Sequence, residues 1–222
     1  VPVLTIDGPV SSGKGTVARA VAAKLGWHLL DSGSLYRVLG LHAHRQGLDL
    51  DDSAVLAPLA EALPVSFEER DGDTAVILDG QDVSREIRQE SVGELASRVA
   101  VLQPVRDALM GRQKAFAEPP GLVADGRDMG TVVFTEAPLK IYLTASAEER
   151  ARRRYNQLKE KGFGANLAAL VEDIRARDDR DMNRQVAPLR PARDAVQIDS
   201  TDLTVDQVVN RILDEARSRQ LV

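Results

Sequence analysis

The 222-residue chain has no cysteine, which excludes disulfides, thiolate metal sites, iron–sulfur clusters and a cysteine nucleophile. Its only histidines are His28, His42 and His44, and the last two are two apart. On a helix such a pair points to different sides and makes a poor metal site. Aromatic residues are 4% of the chain, too few for the basic and aromatic surfaces on which single-stranded nucleic acids stack. A basic surplus is missing as well: the net charge of −5 argues against a general nucleic-acid binder. No apolar run approaches the ~18 residues of a spanning helix, and the first residues lack a signal-peptide pattern. A cytoplasmic location away from membranes is therefore expected. No long apolar surface stripe is left over, so a monomer is expected. An Asn-Lys-x-Asp element for reading guanine is also absent, which argues against a GTPase switch.

What remains is ordinary globular composition, 43% hydrophobic and 28% charged. A chain of this length buries roughly 70% of its unfolded surface and needs no outside support for its core. The cations are unevenly chosen, with 23 Arg against 6 Lys, and ten of the arginines fall between Arg150 and Arg193. Arginine offers a planar fork suited to phosphate and carboxylate, whereas lysine is closer to a point charge. Most of these arginines read as ion-paired helix surface, but a few are placed awkwardly for that.

Val3 to Asp7 is a short apolar run ending in an acid and a glycine, which predicts a buried first strand. A helix follows from Gly13 to Leu25, with Val17, Val21 and Leu25 recurring every four residues. His28 to Asp31 reads as a second strand and Leu35 to Gln46 as a second helix. Gly121 to Asp125, Leu139 to Leu143 and Ala195 to Asp199 supply three further strands. Helical patterns run over Glu90 to Leu102, Val105 to Phe116, Glu148 to Lys161, Leu167 to Arg184 and Val205 to Arg217. Strands alternating with helices predict an α/β fold of parallel βαβ units. One stretch breaks the alternation. Val65 to Glu68, a turn at Asp71-Gly72, Ala75 to Leu78, a turn at Asp79-Gly80 and Gln81 to Val83 read as a small antiparallel meander over residues 64–84.

Gly8-Pro9-Val10-Ser11-Ser12-Gly13-Lys14-Gly15-Thr16 joins the first strand to the first helix and has the spacing of a phosphate-binding loop. Its glycines let backbone N–H groups turn inward around a polyphosphate at a helix N-terminus. Lys14 would reach the transferred phosphoryl group, and a hydroxyl would hold magnesium. The general motif has Ser or Thr directly after the lysine; here Gly15 intervenes and Thr16 follows.

A second group of residues points to a second anion. Ser32 or Ser34 can cap the helix that follows the second strand. Arg37, read as lying in that helix's first turn, opposes the macrodipole unless an anion sits between it and the helix end. Gly126-Arg127-Asp128 follows another strand, at the carboxyl edge where open parallel sheets bind ligands. From Leu167, the apolar positions Leu170, Val171 and Ile174 define an inward stripe, and the same steps reach Arg177, Asp181 and Arg184. Two readings stand for that helix: a solvated, ion-paired end leaving the body, or a charged face converging with Arg37 and Arg127 on a phosphorylated ligand.

Four segments together resemble the cytidylate kinases, the CMP/dCMP branch of the nucleoside monophosphate kinases. They are Ile6-Asp7-Gly8-Pro9 with the Gly-Lys-Gly-Thr loop; Leu30-Asp31-Ser32-Gly33 with Tyr36-Arg37; Ala124 to Phe134; and Arg177-Asp178-Asp179-Arg180-Asp181 with Asn183-Arg184. The resemblance implies a five-stranded parallel sheet flanked by helices, with a small antiparallel insert. It implies a core of residues 1–62 and 105–222, an acceptor-binding insert at 63–104 and a short lid at about 150–166. It implies an ATP-dependent kinase that carries the γ-phosphoryl group to CMP or dCMP, with Mg²⁺ accompanying ATP and no nucleic acid or membrane as partner. By the same resemblance, residues 8–16 bind the ATP phosphates, with Lys14, Arg127 and Asp125 catalytic, and Thr16 and Asp125 on the metal, the latter through water. Ser32, Arg37, Arg127 and Arg184 would hold the monophosphate. Arg177 and Asp181 would meet the sugar, and Ser97, Arg106 and Asp128 would read cytosine. Arg150 and Arg154, one helical turn apart, are the lid candidates, with Arg152 and Arg153 as competitors. Within phosphate-loop kinases, the competing acceptors are shikimate, a nucleoside or UMP.

Overall fold

The computed structural model describes residues 1–70, 73–160, 162 and 164–222. The expected turn at Asp71-Gly72 and the expected helix end at Lys161 lie outside them. The chain divides into two compact units, Val1–Leu30 with Ala115–Val222, and Asp31–Lys114.

The first unit is built on a five-stranded parallel sheet in the order β2-β6-β1-β7-β8. Its strands are β1 (Val3–Asp7), β2 (His28–Asp31, whose last residue opens the second unit), β6 (Leu122–Gly126), β7 (Leu139–Thr144) and β8 (Val196–Asp199). Every residue of β1 and β6 is buried, as expected of parallel strands covered on both faces. The edge strands β2 and β8 each bury only one residue. Helices α1 (Lys14–Leu25) and α8 (Val205–Ser218) join Val17, Val21, Val209 and Ile212 to Leu4, Ile6, Leu139 and Ile141 in one core. Helix α8 starts on a capping box between Thr204 and Gln207. Helices α6 (Ala147–Glu160) and α7 (Leu167–Asn183) complete this unit.

The second unit holds α2 (Ser32–Arg45), α3 (Ser53–Glu61), α4 (Glu90–Val99), α5 (Gln103–Ala115, whose last residue returns to the first unit) and the antiparallel sheet β3-β4-β5. The expected meander is present as β3 (Val65–Arg70), β4 (Asp73–Leu78) and the two-residue β5 (Gln81–Asp82). Its second turn falls at Asp79-Gly80, where φ is 50° and 76°, the left-handed pair a two-residue hairpin loop requires. Leu39, Leu56, Leu63, Leu78 and Leu109 form this unit's own core. Helices α2 and α4 cross at Gly40, where a Cβ would stand 2.9 Å from that of Leu95.

Helix boundaries moved for physical reasons. Helix α2 begins at Ser32 rather than Leu35, because Asp31 caps it. Helix α3 was not anticipated: Pro58 inside it reads as a breaker, yet Asp52 caps its start and Leu56 and Ala60 are buried.

Candidate active site

The register of β1 against β6 sets Ile6 opposite Asp125 and Asp7 opposite Gly126, so the loops leaving the two strands start side by side at the carboxyl edge. A Cβ on Gly8 would stand 2.1 Å from the Leu143 carbonyl oxygen of β7, so the loop tolerates no side chain there. Helix α1 starts after Gly13 with no side-chain cap and no acid in its first turn. By contrast, α2, α3, α7 and α8 start on caps from Asp31, Asp52, Asn166 and Thr204, and α4, which also lacks a side-chain cap, carries Glu90 in its first turn. A helix start left without a side-chain cap, above a glycine-rich loop, is a seat for an anion. Lys14 folds back over the loop, its Nζ donating to the Pro9 carbonyl at 3.2 Å.

Asp125, buried, adjoins that seat: its Oδ2 lies 3.3 Å from where a Cβ on Gly15 would stand, next to exposed Thr16. Among the described residues no cluster of three or more His, Cys, Asp or Glu could hold a metal. Magnesium, however, is held in kinases by one or two hard oxygen ligands plus substrate phosphates and water. A hydroxyl and a carboxylate beside a phosphate seat fit that ion.

Helix α6 grips the same loop from outside. Arg150, 4% exposed, donates to the Ala145 carbonyl at 2.9 Å, to the Val10 carbonyl at 3.1 Å, and to both oxygens of Asp178 on α7 at 2.9 and 2.5 Å. Arg153 donates to the carbonyls of Ser12 at 3.3 Å and Ser200 at 2.6 Å, and to Glu149 at 2.9 Å. Arg152 pairs with Glu149 at the surface, and Arg154 is half-buried on the same helix. Of the lid candidates and their competitors, Arg150 and Arg153 thus bear on the loop's backbone.

After β6, Arg127 donates through Nε to Asp181 of α7 at 2.5 Å. Burial pushes the Asp181 carboxyl up, but Arg127, Arg184 and Arg177 outweigh it and hold the group below the usual aspartate range. Three cations therefore gather around one carboxylate, and Asp181 itself is buried. The inward charged face of α7 is real from Ile174 onward; its expected apolar beginning is not, since Leu167 is 43% exposed. Arg184 closes the helix with Nε on the Ala187 carbonyl at 2.7 Å. Asp128, buried, opens a five-residue π-helical turn over Met129–Val133. The N–H groups of Met129 and Gly130 donate to the two oxygens of Asp7, each at 2.8 Å. Burial pushes the Asp7 carboxyl up to about 7; Asp128 adds to this, while the two N–H groups and Lys14 oppose it. Asp7 belongs to the Ile6-Asp7-Gly8-Pro9 segment of the resemblance, but its neighbours in sequence point to no role for it in the site.

The remaining candidates belong to the second unit. Asp31, not Ser32 or Ser34, caps α2, accepting from the Ser34 N–H at 3.1 Å and its hydroxyl at 2.7 Å; Ser32 is the buried first residue of the helix. Because α2 starts at Ser32, Arg37 stands in the second turn, and the macrodipole does not make it anomalous. Its Nη1 donates to the carbonyls of Ile87 at 2.7 Å and Gln89 at 3.1 Å. Its Nη2 lies 2.9 Å from where a Cβ on Gly93 would stand. Ser97 donates to the Gly93 carbonyl at 3.0 Å, so Arg37 and Ser97 meet at the same residue of α4. Arg106 is buried, with Nη1 on the Ala100 carbonyl at 3.1 Å and its guanidinium 5.6 Å from the ring centre of Tyr36.

The parallel sheet with its antiparallel companion, the uncapped Gly-Lys-Gly-Thr loop at the end of β1 and the cations around Asp181 define a phosphate-loop kinase. The family model for cytidylate kinase matches residues 4–218. The chain is 61% identical to a cytidylate kinase of Stutzerimonas stutzeri (strain A1501), covering 100% of this chain and 97% of that one. It is 60% identical to a cytidylate kinase of Colwellia psychrerythraea, with 96% and 94% covered. The chain belongs to the cytidylate kinase family. A crystal structure of an uncharacterized protein from Eubacterium ventriosum ATCC 27560 shares the fold at a TM-score of 0.50 and 13% identity, covering 98% of this chain and 99% of that one. No helix among the described residues is long and apolar enough to cross a membrane.

Proposed function

We propose how the residues of this ATP-dependent kinase divide the transfer of the γ-phosphoryl group of ATP to CMP or dCMP, which yields ADP and CDP or dCDP. The observation that carries the reading is a phosphate loop whose helix start is left without a side-chain cap, in a chain of this family.

On the donor side, residues Gly8 to Thr16 cradle the ATP phosphates with backbone N–H groups, and Lys14 follows charge onto the transferred group. Thr16 and Asp125 hold Mg²⁺, Asp125 through water; the ion supplies charge neutralisation at the phosphates. Arg150 and Arg154 serve the lid, within residues of about 150–166, Arg150 by holding the loop backbone at Val10. On the acceptor side, Arg127 and Arg184 in the first unit bind the monophosphate, while Arg177 and Asp181 meet the sugar. In the second unit, Ser32 and Arg37 serve the monophosphate and Ser97 and Arg106 the base, with residues 63–104 as the acceptor-binding insert. A phosphate monoester oxygen is already nucleophilic when ionised, so neither Asp125 nor Asp128 acts as a base. The protein's task is to position two anions and spread the developing charge while water is kept out. A cytoplasmic monomer completes the proposal.

Asp128 provides the test of base choice. A carboxylate accepts from the cytosine amino group, as Asp and Glu do at cytosine edges in nucleic acids. Against the uracil carbonyl it would set two buried acceptors together, at about 1–3 kcal/mol. Asp128→Asn is expected to lower kcat/KM for CMP and to narrow its advantage over UMP, because the amide can rotate to donate. Steady-state kinetics with both acceptors reads this directly. An unchanged CMP-to-UMP ratio removes Asp128 from base reading. In the same assay Arg184→Ala should raise KM for CMP severalfold and leave KM for ATP nearly unchanged; wild-type CMP kinetics would return Arg184 to the solvated surface.

A further inference from the structure

Asp7 is a carboxylate that the donor and acceptor chemistry above does not use, and it is only 4% exposed. It ends β1, and both of its oxygens are engaged by consecutive backbone N–H groups, of Met129 and Gly130, at 2.8 Å each. Those two residues open the turn that directly follows Arg127-Asp128. Thr5, on the same face of β1 as Asp7, presses on that turn as well: a Cβ on Gly130 would stand 2.9 Å from its Oγ1. The backbone after Asp128 is thus fixed to β1 by a close approach at Thr5 and a two-pronged hydrogen bond at Asp7.

The choice of an acid here is informative. The two neighbouring N–H donors here take separate oxygens of one short side chain. Asn has one carbonyl oxygen and an NH₂ group that would face the second donor, and Ser or Thr has one oxygen. A carboxylate meets the two donors with one oxygen each and brings no N–H of its own into the site. Burial makes that carboxylate hard to ionise, and its charge stands within reach of both Asp128 and Lys14. Closing the turn by contact alone would not need a group carrying that penalty.

We propose that Asp7 is a positioning residue for the acceptor: by holding the Met129 and Gly130 N–H groups it fixes the main chain of Arg127 and Asp128, and so the aim of both side chains. The inference rests on the acceptor reading of Arg127 and Asp128. It gives the two substrates opposite signs. Asp7→Asn keeps the shape, breaks one of the two hydrogen bonds and removes a negative charge whose field reaches Lys14. KM for CMP should rise about tenfold, because Arg127 and Asp128 lose the aim that the fixed turn gave them, and small misplacements of binding groups cost this much or more. KM for ATP should stay level or fall, because the loop has become more positive.

The experiment is steady-state kinetics at pH 8, on the basic side of the Asp7 carboxyl's raised value of about 7, on the wild type, Asp7→Asn, Arg127→Ala and the double variant, well below each melting temperature. Asp7→Ser, which keeps one acceptor oxygen, stands in if the Asn variant does not fold. The expected result is a CMP-specific rise in KM for Asp7→Asn, with the double variant raised by less than the product of the two single effects, since both act through Arg127. KM values for CMP and ATP that rise together, or a lowered melting temperature with unchanged kinetics, would reduce Asp7 to a structural residue. If Arg127→Ala leaves KM for CMP untouched, the acceptor reading falls and this inference with it. If Arg127→Ala raises KM and Asp7→Asn does not, this inference alone falls.

Discussion

Replacing Lys14 with methionine is expected to lower kcat by two to three decades or more while the fold persists. The reason is differential binding: the ammonium meets most negative charge as the phosphoryl group leaves ATP, so its loss is felt mainly in the transition state. Removing one preorganised charge-stabilising donor costs about 10²–10³ in kcat in well-studied sites. Lys14 is a half-buried side chain at the start of α1, where methionine can be accommodated, so the fold is expected to persist. Single-turnover kinetics with CMP, alongside a thermal melt, separates the two effects. A Lys14→Met enzyme within threefold of wild-type kcat would mean that the loop serves another purpose.

Arg150→Met should lower stability by about 3–5 kcal/mol, the scale of removing one partner from a buried ion pair. The side chains of Arg150 and Asp178 are only 5% and 13% exposed, so truncating the arginine strands Asp178. The same change also releases the Val10 and Ala145 carbonyls. Urea unfolding measures the loss. The double variant Arg150→Met/Asp178→Asn should recover a good part of it, since the stranded charge is gone. Equal losses in the single and double variants would show that the pair is not coupled. Because Arg150 also fixes the loop backbone at Val10, KM for ATP should rise in the single variant.

Where a residue's role follows from its neighbours in sequence, the sequence showed it. The buried runs of β1 and β7 predicted a parallel sheet, and the spacing from Gly8 to Thr16 predicted the phosphate loop, since both patterns are local. Alternating residues and an Asp-Gly turn likewise predicted the antiparallel meander. Roles created by partners far along the chain were hidden. Nothing local in the sequence separates Arg150 and Arg153 from Arg152 and Arg154, and their partners are Asp178, 28 positions on, and Ser12, 141 positions back. Asp7 acts on backbone 122 positions away, which no pattern around it announces. Arg37 was misplaced because the start of α2 depends on whether Asp31 or a serine supplies the cap, a choice three polar neighbours leave open. Leu167 kept helical spacing but lies before the part of α7 that packs, so periodicity overstated its burial.

Acceptor choice can be measured on the unmodified protein in one coupled assay, with ATP and Mg²⁺ against CMP, dCMP, UMP, AMP, GMP and shikimate. CMP and dCMP should give the highest kcat/KM, with UMP lower because its base presents a carbonyl and an N–H where cytosine presents an amino group and an acceptor. Faster phosphorylation of AMP or shikimate than of CMP would contradict the assignment outright.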